Sequence, residues 1–438
     1  MAKDATGIAL SLLNNFAGSK IADQLKLRKS SEKLAYSATK HGFQAIALAS
    51  RQFKALKNLT KPARLEAPAK ESTNKLFDLS LTEEQQMMRD SLTKFSIEVI
   101  RPAAEEANET LAAPKQLLQQ AQEFGLHLFA IPEELGGIAA EKSTVSNLLM
   151  TEDLAYGDMG IAVAILSTIG VINALSQWGD AAQQAKYLPA FIEENIPVAT
   201  SAINEPMPLF NPQELKTIAT PTATGYVLNG VKSAVPQLRN AEIILVSALI
   251  PGKGPAIFII EANQQGVGAQ DDHCMGVRAA EFGRLILNNV EVPANAKLGD
   301  HNFCYHTFIN YAKLGWCGLA IGCGQAVLDY VIKYCNEREA FGEPISHRQA
   351  VAFMIANIEI ELQSMRIVTL RACAKAENGL EFSREAYLAS LLCSEKGMEI
   401  GTNGVQLLGG HGFTKEHPVE RWYRDLRAVS ILCNGMHL

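Results

Sequence analysis

The sequence lacks the features of several protein classes. Its 438 residues carry a formal net charge of −6, so a nucleic-acid partner is not expected. The eight cysteines are scattered without a CxxC pair, so no metal site is expected either. No compact apolar run with a cleavage site follows a basic start, which argues against a signal peptide. We therefore expect a protein with reduced thiols in a cytoplasm-like compartment.

The N-terminal extension allows two interpretations. Its first 30 residues show apolar positions at helical spacing, and Asp4 and Asp23 argue against a transit peptide. Such a helix lies on a membrane surface, or it packs on a protein partner or on its own chain. The expectation is therefore a cytoplasmic protein, with peripheral membrane attachment through this extension as the alternative. The uncharged stretch 159–179 contains polar residues and glycines, and we predict a buried core helix rather than a membrane span.

The chain changes texture twice. A helical pattern with a linker comes first, then a helical segment beginning with an N-cap at Thr82, then β-type patterning, then long helical periods. The predicted domains are 1–77 (helical extension and linker), 78–195 (α-helical), 196–300 (β) and 301–438 (α-helical). This order predicts an α+β protein whose middle domain is a small sheet or barrel.

The last two segments carry specific predictions. In the β segment, Asn229-Gly230 is typical of a hairpin turn, and 243–249 and 256–260 have the composition of buried strands. In the last segment, the periodicity predicts helices over 307–336, 347–377 and 383–408.

Two motifs could bind a ligand. Gly409-Gly410 follow a helical run, and paired glycines let a ligand approach the backbone and expose amide donors. The same pattern also ends helices that bind nothing. In 338–342, Arg338 could bind a phosphate and Phe341 could pack on a ring. A surface ion pair beside a core phenylalanine is the alternative there.

Together these motifs resemble the acyl-CoA dehydrogenase family over about residues 78–438. The second family signature is complete at its fixed offsets: Gln406, Gly409, Gly410, Gly412, Phe413, Glu416, Arg421 and Asp425. Segments 131–137, 205–206, 226–232 and 276–278 also appear in family order. The resemblance implies an N-terminal helical domain, a middle β domain and a C-terminal four-helix bundle, shortened here at its end.

The resemblance also implies a cofactor, FAD, and a reaction, the α,β-dehydrogenation of a fatty acyl-CoA with hydride transfer to the flavin. It assigns cofactor contacts to Asn204, Val235, Pro236, Arg338, Phe341, Gln349, Gln406, Gly409 and Gly410. Arg338 would contact the pyrophosphate with Phe341 beside it, and Gln349 and the 406–410 loop would reach the adenylate half across a dimer interface. Lys313 would contact the substrate. Electron-transfer flavoprotein and a homodimer or homotetramer are the implied partners.

The catalytic carboxylate of the family is missing. Cys433 stands where the usual Glu would follow the signature Asp, and Ala312, just before Lys313, holds the alternative position. A buried thiol is a poor base because burial raises its pKa, so no catalytic residue is assigned. Two further segments depart from the family. Ala-Val-Pro at 234–236 replaces the family's Trp-Ile-Thr run beside the flavin, and bulky residues replace the family's small ones after Pro206.

Three hypotheses follow from these departures. The chain is an active dehydrogenase with a base recruited from elsewhere. Alternatively, it is a degenerate, non-catalytic subunit or ligand-binding scaffold that supports a catalytic paralogue in a heteromer. In the third, it is a truncated or damaged product with no function of its own.

Overall fold

The computed structural model describes residues 80–138, 143–300, 302–432 and 437–438. The extension predicted at 1–77 and Cys433 therefore lie outside the described residues, as do positions 78 and 79 at the start of the predicted helical domain. Helix α1 (Glu83–Phe95) is capped by Thr82, as predicted. The Thr82 hydroxyl accepts the Gln85 N–H at 3.1 Å and the Gln85 side chain accepts the Thr82 N–H at 3.0 Å. This capping box satisfies two backbone donors at the helix start.

The first helical segment is built around one very apolar helix. After α1 come a π-helical turn (Ser96–Ile100), α2 (Arg101–Thr110), α3 (Lys115–Glu123), α4 (Thr144–Gly157), α5 (Met159–Trp178) and α6 (Ala181–Tyr187). Short 3-10 turns cover Leu126–Ala130, Glu133–Leu135 and Leu188–Ile192. Asp158 caps α5 by accepting the Ile161 N–H at 3.0 Å. Nearly all of α5 is buried, which confirms the predicted core helix.

The middle segment is a seven-stranded sheet. Its strands are β1 (Ala199–Ala202), β2 (Ile218–Pro221), β3 (Gly225–Val235), β4 (Ile243–Ile250), β5 (Gly254–Glu261), β6 (Val267–Asp271) and β7 (Gly283–Pro293). Their order is β1-β4-β2-β3-β7-β6, with β5 on β4. Both pairings of β4 with β1 and β2 are parallel, and the others are antiparallel. 3-10 turns cover Arg278–Ala280 and Ala294–Ala296. The strands predicted at 243–249 and 256–260 are confirmed.

The hairpin predicted at Asn229-Gly230 is wrong. Strand β3 runs straight through these residues, and its register with β7 shifts between Leu228 and Gly230, which marks a bulge. Gly230 has φ +153°, and a Cβ there would meet the Thr217 Cα at 2.7 Å. Asn-Gly supplies the same backbone freedom to a bulge as to a turn. The pattern alone therefore could not separate the two.

Long helices return in the last segment. They are α7 (Tyr305–Glu337), α8 (Gln349–Glu377) and α9 (Ser383–Leu408), followed by the short α10 (Val419–Leu426). The small strands β8 (Glu339–Ala340) and β9 (Glu343–Pro344) and 3-10 turns at Ile345–His347, Gly409–Phe413 and Arg427–Ser430 complete it. The three predicted helices are confirmed. Helices α5 and α7 are apolar enough to span a membrane, yet 94% and 78% of their apolar windows are buried within the protein.

Candidate active site

The main cavity, about 680 Å³, lies where α7 and α9 end. Among its lining residues are Tyr334, Arg338, Gln406, Gly409, Gly410 and His411. The structure thus brings together four of the residues that the sequence assigned to a cofactor: Arg338, Gln406, Gly409 and Gly410. They come from two segments about 70 residues apart in the chain, an ordinary separation for a site built on a rigid helical frame.

The paired glycines shape one wall of this cavity. Helix α9 ends because Gly409 adopts φ 58° and ψ −130°, a conformation that side chains with a Cβ avoid. A Cβ added at Gly409 or at Gly410 would meet no atom within 4 Å. The backbone there therefore faces open space, and a ligand can approach it closely.

The opposite wall carries a positive charge. Arg338 follows α7, and its N–H donates to the Tyr334 carbonyl at 2.8 Å while its carbonyl accepts the Ile345 N–H at 2.9 Å. Its backbone is fixed at both groups, and its side chain has no ion-pair partner among the described residues. An exposed guanidinium beside open glycine backbone is suited to a phosphate.

A tyrosine–histidine wall, defined by Tyr330, Tyr334, His411 and His417, was missed from the sequence. The Tyr330 hydroxyl lies 2.6 Å from His417 Nδ1, and the Tyr334 hydroxyl lies 3.3 Å from His411 Nδ1. Burial raises the pKa of Tyr330. The spacing of the two tyrosines, one helical turn apart on α7, was the available signal. This wall fixes the loop that follows α9.

Asn204, Val235 and Pro236 form a separate group on the sheet. Asn204 follows β1, and its carbonyl accepts the Ser233 N–H at 2.9 Å. Its side-chain amide donates to the Ile431 carbonyl at 2.8 Å. Val235 ends β3, and Val235 and Pro236 are buried. None of the three lines the main cavity.

A buried ion pair supports this second group. The Lys232 ammonium, which is fully buried, donates to Glu205 Oε1 at 2.9 Å and to Ser247 Oγ at 2.9 Å. Glu205 also accepts the backbone N–H groups of Lys216 and Thr217. Burial lowers the pKa of Lys232 to about 8, against the opposing effect of Glu205. The pair ties the loop after β1 to β3 and β4.

The signature residues Arg421 and Asp425 lie in a buried cluster, outside the main cavity. Arg421 Nε donates to Asp158 Oδ2 at 3.2 Å, and Asp425 Oδ1 accepts the Val277 N–H at 2.5 Å. Burial raises the pKa of both Asp158 and Asp425. The cluster joins the start of α5, the turn after β6 and helix α10. Its role is to lock three parts of the fold together.

A second cavity lies between α4 and α5. Its volume is about 10 Å³, and the buried residues His437 and Leu438 are part of its lining. Its walls include Met150 and Thr151 from α4 and Leu166 from α5. Among the described residues, no Asp or Glu side chain lines it.

The chain was compared with known families and proteins. Residues 82–195 match "Acyl-CoA dehydrogenase, N-terminal domain", and residues 305–433 match "Acyl-CoA dehydrogenase, C-terminal domain". The chain belongs to the acyl-CoA dehydrogenase family.

Individual relatives of this family member agree. An acyl-CoA dehydrogenase of Bacillus subtilis is 29% identical over 364 residues, which are 81% of this chain and 95% of the relative. The structure of butyryl-CoA dehydrogenase from Megasphaera elsdenii aligns with a TM-score of 0.75 at 26% identity, covering 81% of this chain and 96% of that one. A chain from the electron transferring flavoprotein structure of Acidaminococcus fermentans gives 0.74 at 27%, with coverage of 81% and 95%. The expected helix–sheet–helix fold class is confirmed.

The acyl-CoA dehydrogenase family is FAD-dependent, and the main cavity fits part of that cofactor. Arg338 and the open backbone at Gly409 and Gly410 match the needs of the pyrophosphate and adenylate half. Phe341 and Gln349 do not line the cavity. Phe341 is 96% exposed, with φ 59° and the Arg348 guanidinium 5.5 Å from its ring centre. Gln349 begins α8 and is exposed.

The alternative base position of the acyl-CoA dehydrogenase family is also visible. Ala312 lies on α7 with 1% exposure, so it offers neither a proton acceptor nor room for one. Lys313 beside it is half-buried and lines neither cavity. The described residues thus contain no carboxylate at that position.

Proposed function

We propose that this chain binds FAD through the main cavity and carries out the α,β-dehydrogenation of a fatty acyl-CoA. The observation that carries the proposal is the cavity itself, which unites Arg338 with the open backbone at Gly409 and Gly410. Membership of a family of oxidoreductases supports the reaction class. Fatty acyl-CoA as substrate and electron-transfer flavoprotein as acceptor are proposed from that family.

The chain's own residues would divide the work between two places. FAD, when bound, would supply the acceptor for the hydride that leaves the β-carbon, and the α-proton would need a base outside the two positions that Ala312 and Cys433 occupy. Arg338 would neutralise phosphate charge, and the amides around Gly410 would donate to phosphate oxygens. On the sheet, Asn204, Val235 and Pro236 would form the edge nearest the flavin ring. The Glu205–Lys232 pair would hold that edge in place.

A second function, that of a non-catalytic subunit, is favoured by a specific observation. Ala312 occupies one family base position and Cys433 the other, and no Asp or Glu side chain lines the second cavity among the described residues. Removing an α-proton needs a positioned base. Under this hypothesis the chain binds a ligand without turnover, or it supports a catalytic paralogue in a heteromer.

We further propose that the protein is a homodimer or homotetramer. Helix α8 exposes an apolar stripe, defined here as Phe353, Ile360 and Ile367, at seven-residue spacing. Phe341 and Phe413 are also almost fully exposed. Contiguous exposed apolar surface on a helix is typical of an interface.

For localisation, we propose the cytoplasm, with attachment to a membrane surface through the N-terminal extension as the alternative. The cysteines in the described part of the chain are free thiols, which supports a reducing compartment.

The visible absorption spectrum tests the two functions. Purified protein is recorded before and after anaerobic addition of a fatty acyl-CoA. Flavin bands that bleach support dehydrogenation, and flavin bands that stay support the non-catalytic subunit. A colourless protein that binds no added FAD would overturn the cofactor assignment itself.

A further inference from the structure

His437 and Leu438 fill an internal space between helices. His437 stacks on Phe308, with ring centres 4.8 Å apart and planes at 22°. Its ring centre also lies 4.7 Å from that of Trp178 and 5.0 Å from that of Tyr311. Both residues are buried, with 4% and 3% exposure. The pair is packed as tightly as ordinary core residues.

A directed hydrogen bond fixes the position of this pair. The Asn173 side-chain amide, itself buried on α5, donates to the His437 carbonyl at 3.1 Å. A buried amide that satisfies a main-chain carbonyl specifies one placement of the chain. The seating of His437 is therefore defined by a polar contact as well as by apolar packing.

The space that the pair fills is apolar on most of its surface. Met150, Leu166 and Ile169 form much of the wall, and Gly170 leaves further room. The remaining volume of about 10 Å³ is at the limit for a single water molecule. No acyl chain can enter while His437 and Leu438 are in place.

A residue shortly before this pair also contacts the loop that follows β1. Just before this pair in sequence, the Ile431 carbonyl accepts the Asn204 amide, the group that the proposed function places near the flavin ring. Helix α5, whose Leu166 and Ile169 line the apolar space, also packs on β1, because the Thr168 hydroxyl donates to the Ala199 carbonyl at 3.3 Å. The space therefore lies on the helix that supports the strand leading to Asn204. A fatty acyl group with its reacting carbons beside Asn204 would need the same space for its tail.

We propose that His437 and Leu438 are an autoinhibitory plug, which competes with the acyl chain of the substrate for the space between α4, α5 and α7. The inference rests on the proposed function, because the acyl chain is the competing ligand. With the plug seated, the protein recognises at most the CoA part of its ligand, and the dehydrogenation proposed above requires the plug to be displaced first. With the plug displaced, the affinity rises with acyl length.

Chain-length dependence of binding tests the plug. Calorimetry is run on the full-length protein with free CoA and with saturated acyl-CoAs of increasing length, under anaerobic conditions. The double variant H437A/L438A removes about eight non-hydrogen atoms from the space and should bind each added methylene about fourfold more tightly until the space is full. Wild type and the exposed-residue control His306→Ala should show no dependence on length.

A second variant weakens the plug without changing the two plug residues themselves. Asn173→Ala removes the amide that holds His437, so it should give a weaker length dependence of the same sign. The midpoint of thermal unfolding of each variant checks that it is folded. An equal length dependence in wild type and H437A/L438A would overturn the plug, and so would no dependence in either.

Failure of the proposed function gives a different result. The same titration with fatty-acid anions of increasing length reads the apolar space without CoA or flavin. Length dependence confined to H437A/L438A in that series supports the plug even if the flavin bands never bleach. Flavin reduction in wild type together with a length dependence equal to that of the variant would retain the dehydrogenase and reject the plug.

Discussion

Two neighbouring glycines show how differently adjacent residues can serve one site. Gly409 is required by the backbone, because φ 58° with ψ −130° is strained for any residue with a Cβ. Gly410 has no such conformation, and a Cβ there would meet no atom within 4 Å. The second glycine is therefore free of structural demand, and its small size matters only to a ligand or a partner.

This difference leads to a prediction for Gly410→Leu. The free energy of unfolding should stay within about 0.5 kcal/mol of wild type, because the new side chain meets open space. The affinity for FAD should fall about tenfold or more, because the side chain occupies the ligand's place. Urea denaturation and flavin titration measure the two effects. Thr402→Leu, at an exposed position of α9 before this loop, should change neither. Normal FAD affinity in Gly410→Leu would move the cofactor away from this loop.

His127 gives a pH-dependent prediction. Burial lowers its pKa from 6.5 to about 4. Between these values the unfolded chain binds a proton that the folded chain does not, so acid favours unfolding. As the pH falls from 6.5 to 4, this group should cost about 3 kcal/mol of stability.

Paired variants measure that cost. His127→Gln cannot take up the proton, so its stability should fall less steeply with acid than that of wild type. His306→Gln, at an exposed position, should follow wild type. Parallel stability curves for wild type and His127→Gln would show that the imidazole does not cause the acid sensitivity.

At the residue scale, the sequence predicted which residue types the site uses better than it predicted where each of them lies. Arg338, Gln406, Gly409 and Gly410 do meet around one cavity. Phe341 was expected beside a ligand, yet it lies at the tip of the β8–β9 turn and is almost fully exposed. A motif names the residue types that a site uses. Whether the site is complete within one chain depends on surfaces that a single sequence does not describe.

At the scale of secondary-structure elements, the buried cluster of Asp158, Arg421 and Asp425 connects a helix start, a turn and a helix. Replacing Arg421 with Met leaves buried carboxylates without their cation. The free energy of unfolding should fall by about 3–5 kcal/mol. The loss should shrink at mildly acidic pH, because burial already raises the pKa of both carboxyl groups and protonation removes their charge.

The control for Arg421→Met is an exposed ion pair. Lys186 lies 3.4 Å from Glu261, and Lys186→Met should cost about 0–1 kcal/mol because solvent screens that pair. Urea denaturation of both variants at two pH values provides the comparison. Similar small losses in the two variants would show that the buried cluster does not lock the fold.

Elements with long, regular periodicity were predictable, and those that depend on their neighbours were not. The three long helices near the end of the chain start and stop within two residues of the predicted bounds. Their apolar spacing is a property of the local sequence. The Asn229-Gly230 pair has the local composition of a turn. It forms a bulge because β3 pairs there with β7, some 60 residues away, and the local sequence does not show that pairing.

At the scale of the whole molecule, the apolar stripe on α8 predicts self-association. Ile360→Glu places a charge in the stripe and should shift the protein towards the monomer. It should also weaken FAD retention if a second copy completes the site. Ile97→Glu makes the same chemical change at an exposed isoleucine of the first helical segment and should leave the assembly unchanged. Sedimentation velocity measures both, and an unchanged oligomer in Ile360→Glu would exclude the stripe as the interface.

The plug shows what a linear reading cannot find. His437 and Asn173 are 264 residues apart, and Ile431 and Asn204 are 227 apart. No periodicity or motif links such positions. The sequence did show that the family's catalytic carboxylate is missing. The proposed role of His437 and Leu438 as a plug depends instead on the packing of three helices.

The buried cluster has a consequence for how chains of this kind are recognised. Its Arg421 and Asp425 belong to the signature that identified the family, yet they hold the fold together and do not line the main cavity. Selection for a folded chain preserves such residues whether or not the reaction survives. The signature therefore reports that a sequence can still adopt this architecture, and it leaves the chemistry to be established by separate means.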